Sequence, residues 1–140
     1  MNISIPDSWL REFLDTKAKP KQIAENLSLC GPSVERIDKV KEEFVYYAEV
    51  TTNRVDMMSI YGIAREASAI LPRFGIKASL KPIKLKCDPK FVNKVDYLEV
   101  KVDSNLCPRF SAVLVKDVQL NESPTLIKQR LTAVGVRPIN

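Results

Sequence analysis

Hydrophobic and polar positions along the chain predict short strands alternating with amphipathic helices. Residues 2–5 alternate polar and apolar as in a strand, and Pro6 separates them from an apolar stripe of helical spacing over 9–14. A second helix begins at Pro20 and ends at Gly31, which follows its last apolar position. These two segments predict a helix-turn-helix-like pair.

The middle of the chain predicts a hairpin followed by a longer helix. Residues 34–40 alternate imperfectly, but 44–50 are rich in strand formers, so we expect the two to pair. From Ile60 the apolar residues recur at i, i+3, i+4 and i+7, which predicts a surface helix over about 56–73. Gly75 follows as its expected end.

The C-terminal part predicts two paired strands and a helix. Residues 97–103 alternate strictly, and 110–118 read as a buried strand. Ser123 is the expected N-cap of a helix with Pro124 at its first position. A β-β-α unit alone has too little surface to close a core, so we expect the chain to be truncated there.

Together these elements predict an α+β protein. A small helix-plus-hairpin scaffold domain over 1–85 is followed by a basic connector at 86–94 and by the opening β-β-α part of a second domain over 95–140.

Composition limits the chemistry of the chain. None of its 140 residues is a histidine, which excludes Ser-His and Cys-His catalysis and His-ligated metal sites. Cys30, Cys87 and Cys107 are too widely spaced for a zinc site or a disulfide framework, so we expect free thiols, mostly buried. We assign no catalytic, cofactor-binding or metal-binding residue.

The formal charge of +5 is concentrated in one stretch. Residues 72–94 carry a net +6, with cations spaced among apolar residues, and the candidate RNA contacts are Lys77, Lys81, Lys84 and Lys86. A solvated, lysine-rich connector is the favoured interpretation of the same stretch. Apolar runs end well before about 18–20 residues and no signal-peptide pattern opens the chain, so we expect a cytoplasmic protein without a membrane span.

Residues 49–67 form a polar motif ahead of and within the predicted long helix. Asn53 and Asp56 are expected helix caps, and Arg54 is expected to brace the same turn by pairing with a carboxylate. Gly62 costs about 1 kcal/mol relative to Ala in a helix, which indicates close approach of another backbone. Arg65 and Glu66 are candidate bridges to a neighbouring domain.

Motif residues 49–67, EVTTNRVDMMSIYGIAREA, resemble T-P-N-R-P-D-C-L-S-x-x-G-I-A-R-E of bacterial-type phenylalanyl-tRNA synthetase β chains. CPRFSA at 107–112 and GVRPIN at 135–140 are similar to signatures opening that family's editing (B3/B4-type) domain. Three positions depart from the pattern, namely Thr52, Val55 and Met57. Lys41-Glu42-Glu43 stands where most relatives carry an inserted tRNA-binding barrel, so that role is not carried over.

The resemblance implies an N-terminal structural segment of the β subunit. It further implies pairing with a catalytic α subunit in a heterotetramer, which attaches phenylalanine to tRNA(Phe) using ATP and Mg²⁺. Residues 95–140 would begin the editing domain, whose pocket lies mainly beyond them, so this segment is expected to be non-catalytic. The alternatives are a stand-alone basic nucleic-acid-binding module and a synthetase-derived regulatory protein.

Overall fold

The computed structural model describes residues 1–40, 42–84 and 94–139, which fall into two compact units. The first unit comprises Met1–Ile83 and Ser123–Asn140, and the second comprises Lys84–Glu122. Mixed helices and small antiparallel sheets confirm the α+β class. Most of the predicted connector at 86–94 lies outside the described residues, and the proposed domain boundaries stay predictions.

A three-stranded antiparallel sheet organises the first unit. It contains β1 (Asn2–Pro6), β3 (Ser33–Val40) and β4 (Glu43–Glu49), in the order β1-β4-β3. The predicted hairpin is therefore confirmed as β3–β4, and Tyr46 at its centre pairs with Ile5 on one side and Ile37 on the other.

Three helices close the core, two of them against this sheet and the third against those two helices. They are α1 (Asp7–Phe13), α2 (Pro20–Cys30) and α3 (Ile60–Ile70). Side chains with almost no solvent exposure come from the three helices and from strands β1 and β4: Ile5, Leu10, Ile23, Leu27, Tyr46, Ala48, Ile63 and Ala67. Burial of such side chains is the main favourable term in folding.

Helix α3 is shorter than the predicted helix over 56–73. Ser59 has extended backbone angles and caps the helix, while Val55–Met57 before it form a single 3₁₀ turn. Leu71–Phe74 form a second 3₁₀ turn that ends at Gly75, whose φ is +73°. The apolar stripe continues through these turns, so its periodicity did not reveal the change in helix type.

The predicted helix-turn-helix-like pair is wrong. Between α1 and α2 the chain forms β2 (Leu14–Thr16), which pairs antiparallel with β5 (Ala78–Leu80). Leu14 is fully buried in that position. A three-residue strand is too short to show a period of its own, and its partner is more than sixty residues away in sequence.

Helix α4 (Thr125–Ala133) confirms the last predicted helix and belongs to the first unit. Its N-cap is Pro124, without a side-chain hydrogen bond, so the expected Ser123 cap is wrong. Arg130 lies over the Trp9 ring, 4.6 Å from the ring centroid, and pairs with Glu12. The contact joins α4 to α1.

The described residues of the second unit contain one tight hairpin. Strands β6 (Lys94–Val95) and β7 (Leu98–Glu99) pair around Tyr97, whose φ is +68°. The predicted strand over 110–118 is wrong, because these residues have no regular structure and lie exposed. Two strands are marginal without a third strand or a helix against their apolar face.

The described thiols are less buried than expected. Cys30 is exposed and Cys107 is half-buried, so the prediction of mostly buried thiols is wrong for Cys30. Cys87 lies outside the described residues. None of the helices in the described part of the chain has the length and apolar character needed to cross a bilayer.

Candidate functional site

The central motif folds into a turn held by ion pairs ahead of α3. Arg54 donates two hydrogen bonds to the Asp56 carboxylate, at 3.0 and 3.1 Å, and a third to Glu66 at 2.8 Å. Arg65 donates to the same Asp56 carboxylate at 2.6 Å. These four side chains, which we call the motif cluster, fix the turn because bidentate guanidinium–carboxylate pairs restrict geometry as well as charge.

The helix cap and the close approach involve residues next to this cluster. The Ser59 hydroxyl accepts a hydrogen bond from the Gly62 amide at 3.0 Å, so the cap of α3 is Ser59 rather than Asn53 or Asp56. The Asp56 backbone carbonyl presses against Gly62, which leaves no space for a Cβ atom there. Asn53 is exposed.

Charge in the motif cluster is mutually compensated. Hydrogen bonds from Arg54 hold the pKa of the Asp56 carboxyl below its usual range. The same bonds to Asp56 and Glu66 raise the pKa of Arg54. A cluster in which each charge is paired is suited to holding a loop in place, whereas acid–base chemistry needs a group poised near neutral pH.

Arg65 and Glu66 were predicted as bridges to a neighbouring domain. The structure places both in contacts within the first unit, with Asp56 and Arg54 respectively. The role of these residues towards other domains stays a prediction.

A second polar network, which the sequence did not predict, links α1 to β4. The buried Tyr46 hydroxyl donates to Asp7, and Arg11 donates to the same carboxylate at 2.7 Å. Arg11 also donates to the carbonyls of Thr16 and Ala18, at 3.1 and 2.8 Å. The i, i+4 spacing of Asp7 and Arg11 was the available signal.

The candidate RNA contacts occupy different surroundings. Lys77, Lys81 and Lys84 are exposed, whereas Lys86 lies outside the described residues. The Lys81 ammonium donates to the Arg11 carbonyl at 2.9 Å, so part of its hydrogen-bonding capacity is used inside the fold. Lys77 instead lines a cleft with Lys17, a residue that the sequence did not single out.

Within the described ranges, no group of three or more carboxylate or thiol side chains is placed to hold a metal ion. The polar features of the first unit are a turn braced by the motif cluster, the hydrogen-bond network around Asp7 and a basic cleft.

Comparison with known proteins gives consistent matches over the larger part of this chain. It is 37% identical over 102 residues to the phenylalanine–tRNA ligase β subunit of Porphyromonas gingivalis, covering 72% of this chain. It is 45% identical over 93 residues to that of Clostridium tetani, covering 66% of this chain. The chain is a relative of one segment of the phenylalanine–tRNA ligase β subunit.

The match covers only a small part of each β subunit. It spans 12% of the Porphyromonas gingivalis protein and 11% of the Clostridium tetani protein. The β subunit of Dehalococcoides mccartyi, 36% identical over 98 residues, is likewise matched over 12% of its length. No protein-family model and no solved structure matches the chain.

Proposed function

We propose that this chain is a non-catalytic scaffold segment of a phenylalanine–tRNA ligase, which assembles with a catalytic α subunit. The similarity to β subunits over about 70% of the chain carries the proposal. In the resembling family the partners form a heterotetramer that acts on tRNA(Phe) in the cytoplasm. ATP and Mg²⁺ would then be used by the parent enzyme, outside this segment.

The side chains of the motif cluster support a structural role. Arg54, Asp56, Arg65 and Glu66 pair with one another, so each ionic group already has a partner in the fold. The sequence contains no histidine to serve as a general base. The folded segment thus provides shape and contacts to an enzyme whose chemistry lies elsewhere.

Exposed apolar side chains support assembly with further protein. Leu106, Val113 and Val118 are each more than two-thirds exposed, and Leu126 and Ile127 on α4 are about half exposed. Burying apolar side chains of this size against a protein partner is favourable. The segment therefore offers surface that a larger subunit would cover.

The test is co-purification of the tagged chain with the α subunit, together with phenylalanine attachment to tRNA by each combination of components. We expect stable binding, no activity from the chain with α alone, and activity when the full-length β subunit is supplied. Aminoacylation by the chain without other β-subunit residues would refute the non-catalytic role. Absence of α binding would refute the assembly role.

The stand-alone nucleic-acid module remains the second candidate because Lys77 and Lys84 of the basic stretch are exposed. That function requires RNA affinity that falls steeply with salt and that charge reversal of Lys81, Lys84 and Lys86 abolishes. A synthetase-derived regulator would bind the α subunit and reduce its activity with the full-length β subunit.

A further inference from the structure

The β2–β5 pair brings two lysines from distant parts of the chain to one cleft. Thr16 is the last paired residue of β2 and lies opposite Ala78, the first residue of β5. The residues that continue each strand away from the sheet are Lys17 and Lys77, and both line a cleft of about 500 Å³. We call it the Lys17–Lys77 cleft.

Hydrogen bonds fix the backbone on both sides of Lys17. Arg11 donates to the carbonyls of Thr16 and Ala18, which flank Lys17, while the Thr16 hydroxyl donates to the Lys77 carbonyl at 2.8 Å. Arg11 is itself anchored by Asp7. The two lysine backbones are therefore fixed relative to each other by buried or half-buried groups.

The opposite wall is a tight turn. Gly75 has φ +73°, and its amide donates to the Pro72 carbonyl at 3.1 Å. The Ile76 amide donates to the Leu71 carbonyl at 3.1 Å, and Leu71 is fully buried. Both walls of the cleft are thus tied to the core of the unit.

The positive charge in the cleft is only partly compensated. Like charges brought close together across a strand pair are destabilising, yet neither Lys17 nor Lys77 forms an ion pair with a carboxylate in the described part of the chain. Asp15 is the acidic side chain among the described lining residues, so the cleft keeps a net positive charge.

The remaining lining groups add hydrogen-bond donors. The Gln22 side-chain oxygen accepts from the Lys19 amide, which orients its NH₂ group as a donor, and Ser79 contributes a hydroxyl. Two ammonium groups with neutral donors form a set that suits phosphate oxygens. A volume of about 500 Å³ lies in the range of small-molecule sites.

We propose that the Lys17–Lys77 cleft binds a phosphate group, either of an RNA backbone or of a free nucleotide. The proposal does not depend on assembly with an α subunit, since the cleft lies wholly within the first unit of this chain. The phosphate would contact Lys17 as well as Lys77, at the point where β2 ends and β5 begins.

The test is titration of the 140-residue chain with a six-nucleotide oligouridylate and, separately, with AMP, followed by amide NMR. We expect shifts of residues 15–18 and 75–79. The double variant K17Q/K77Q should weaken binding about tenfold, because both cationic contacts to the phosphate are lost. The control K39Q/K101Q removes the same charge elsewhere and should leave affinity within about twofold.

A substitution that should increase the affinity provides a second test. D15N removes the negative charge from the cleft and should tighten binding about threefold. Binding of the oligonucleotide alone indicates a site for an RNA backbone, whereas binding of AMP as well indicates a site for a terminal phosphate. Absence of shifts at 15–18 and 75–79 with both probes, or equal weakening by the control variant, would overturn the proposal. Thermal unfolding of each variant verifies that it is folded.

Discussion

A Cβ atom added to Gly62 would lie 1.9 Å from the backbone carbonyl oxygen of Asp56. The 3₁₀ turn before α3 and the helix itself meet at this point without an intervening side chain. Because the opposing atom belongs to the backbone, a rotamer change cannot relieve the overlap. The turn bearing the motif cluster can adopt this position only with glycine at 62.

Gly62→Ala should therefore destabilise the protein despite the better helix propensity of alanine. In a helix interior alanine is more favourable than glycine by about 1 kcal/mol. Overpacking against fixed backbone costs about 1–3 kcal/mol, and here it also displaces the turn. We expect a net loss of about 1–2 kcal/mol in the free energy of unfolding, measured by urea denaturation.

Gly31→Ala is the matched control. A Cβ there would meet the Ile70 Cδ1 atom at 3.1 Å, and the end of a side chain can move. Gly31→Ala should therefore lower the free energy of unfolding by less than Gly62→Ala does. Equal losses for the two glycines would contradict the close-approach explanation.

The cap of α3 gives a second prediction. Ser59→Ala removes the side-chain acceptor for the Gly62 amide and should lower the free energy of unfolding by about 1 kcal/mol. Ser68→Ala, within the same helix, removes an exposed hydroxyl bonded to the Arg65 carbonyl and should change stability little. A loss confined to Ser68→Ala in urea unfolding would refute the assignment of Ser59 as the cap.

How far the sequence predicts this fold depends on the length of each element. The helices around Leu10, Ile23 and Ile63 span enough residues for a period to appear, and all three were found. The Leu14–Thr16 strand was missed because three residues show no period and its partner is remote in the sequence.

The contacts of the candidate site also differ in how far the sequence predicts them. The sequence indicated that Arg54 would pair with a carboxylate and that Gly62 would meet a backbone, because guanidinium chemistry and helix propensity are local properties. The Tyr46–Asp7 hydrogen bond and the Lys17–Lys77 cleft join residues far apart along the chain. Strand register decides such contacts, and the register of short strands cannot be inferred from one sequence.

Burial of Tyr46 predicts sensitivity to alkali. Burial, reinforced by the hydrogen bond to Asp7, raises the pKa of the Tyr46 phenol above its ordinary value. The unfolded state therefore releases this proton first, so stability is full below pH of about 10 and falls as pH rises above it. Tyrosinate absorbance should show one of the four tyrosines titrating only as the chain unfolds.

Tyr46→Phe should remove that alkaline loss and lower stability near neutral pH by about 1.5–3 kcal/mol, since a hydrogen bond to a charged carboxylate is lost. Tyr47→Phe, on the opposite face of β4, is the control and should retain the alkaline transition. Titration of all four tyrosines in the folded state would contradict this prediction.

Acid should lower the stability of the protein by protonating Asp56 in the motif cluster. The pKa of Asp56 is lowered, first by its hydrogen bonds from Arg54, so its stabilising contribution is present above the unfolded pKa of about 4 and is lost as pH falls. Asp56→Asn should flatten the acid limb of the stability–pH profile measured by urea unfolding. Glu35→Gln, at an exposed position of β3, should leave the limb unchanged. An unaltered acid limb in Asp56→Asn would show that other carboxyls dominate.

The contact between Arg130 and Trp9 makes the docking of α4 measurable. The sequence contains one tryptophan, and the Arg130 guanidinium lies 4.6 Å from its ring centroid while pairing with Glu12. Arg130→Ala removes both interactions, so Trp9 emission should shift to longer wavelength and amide exchange in α4 should accelerate. Gln129→Ala, one residue away and exposed on the same helix, should change neither property. If both variants kept the native emission and exchange rates, the Arg130 pairing would contribute little to the docking of α4.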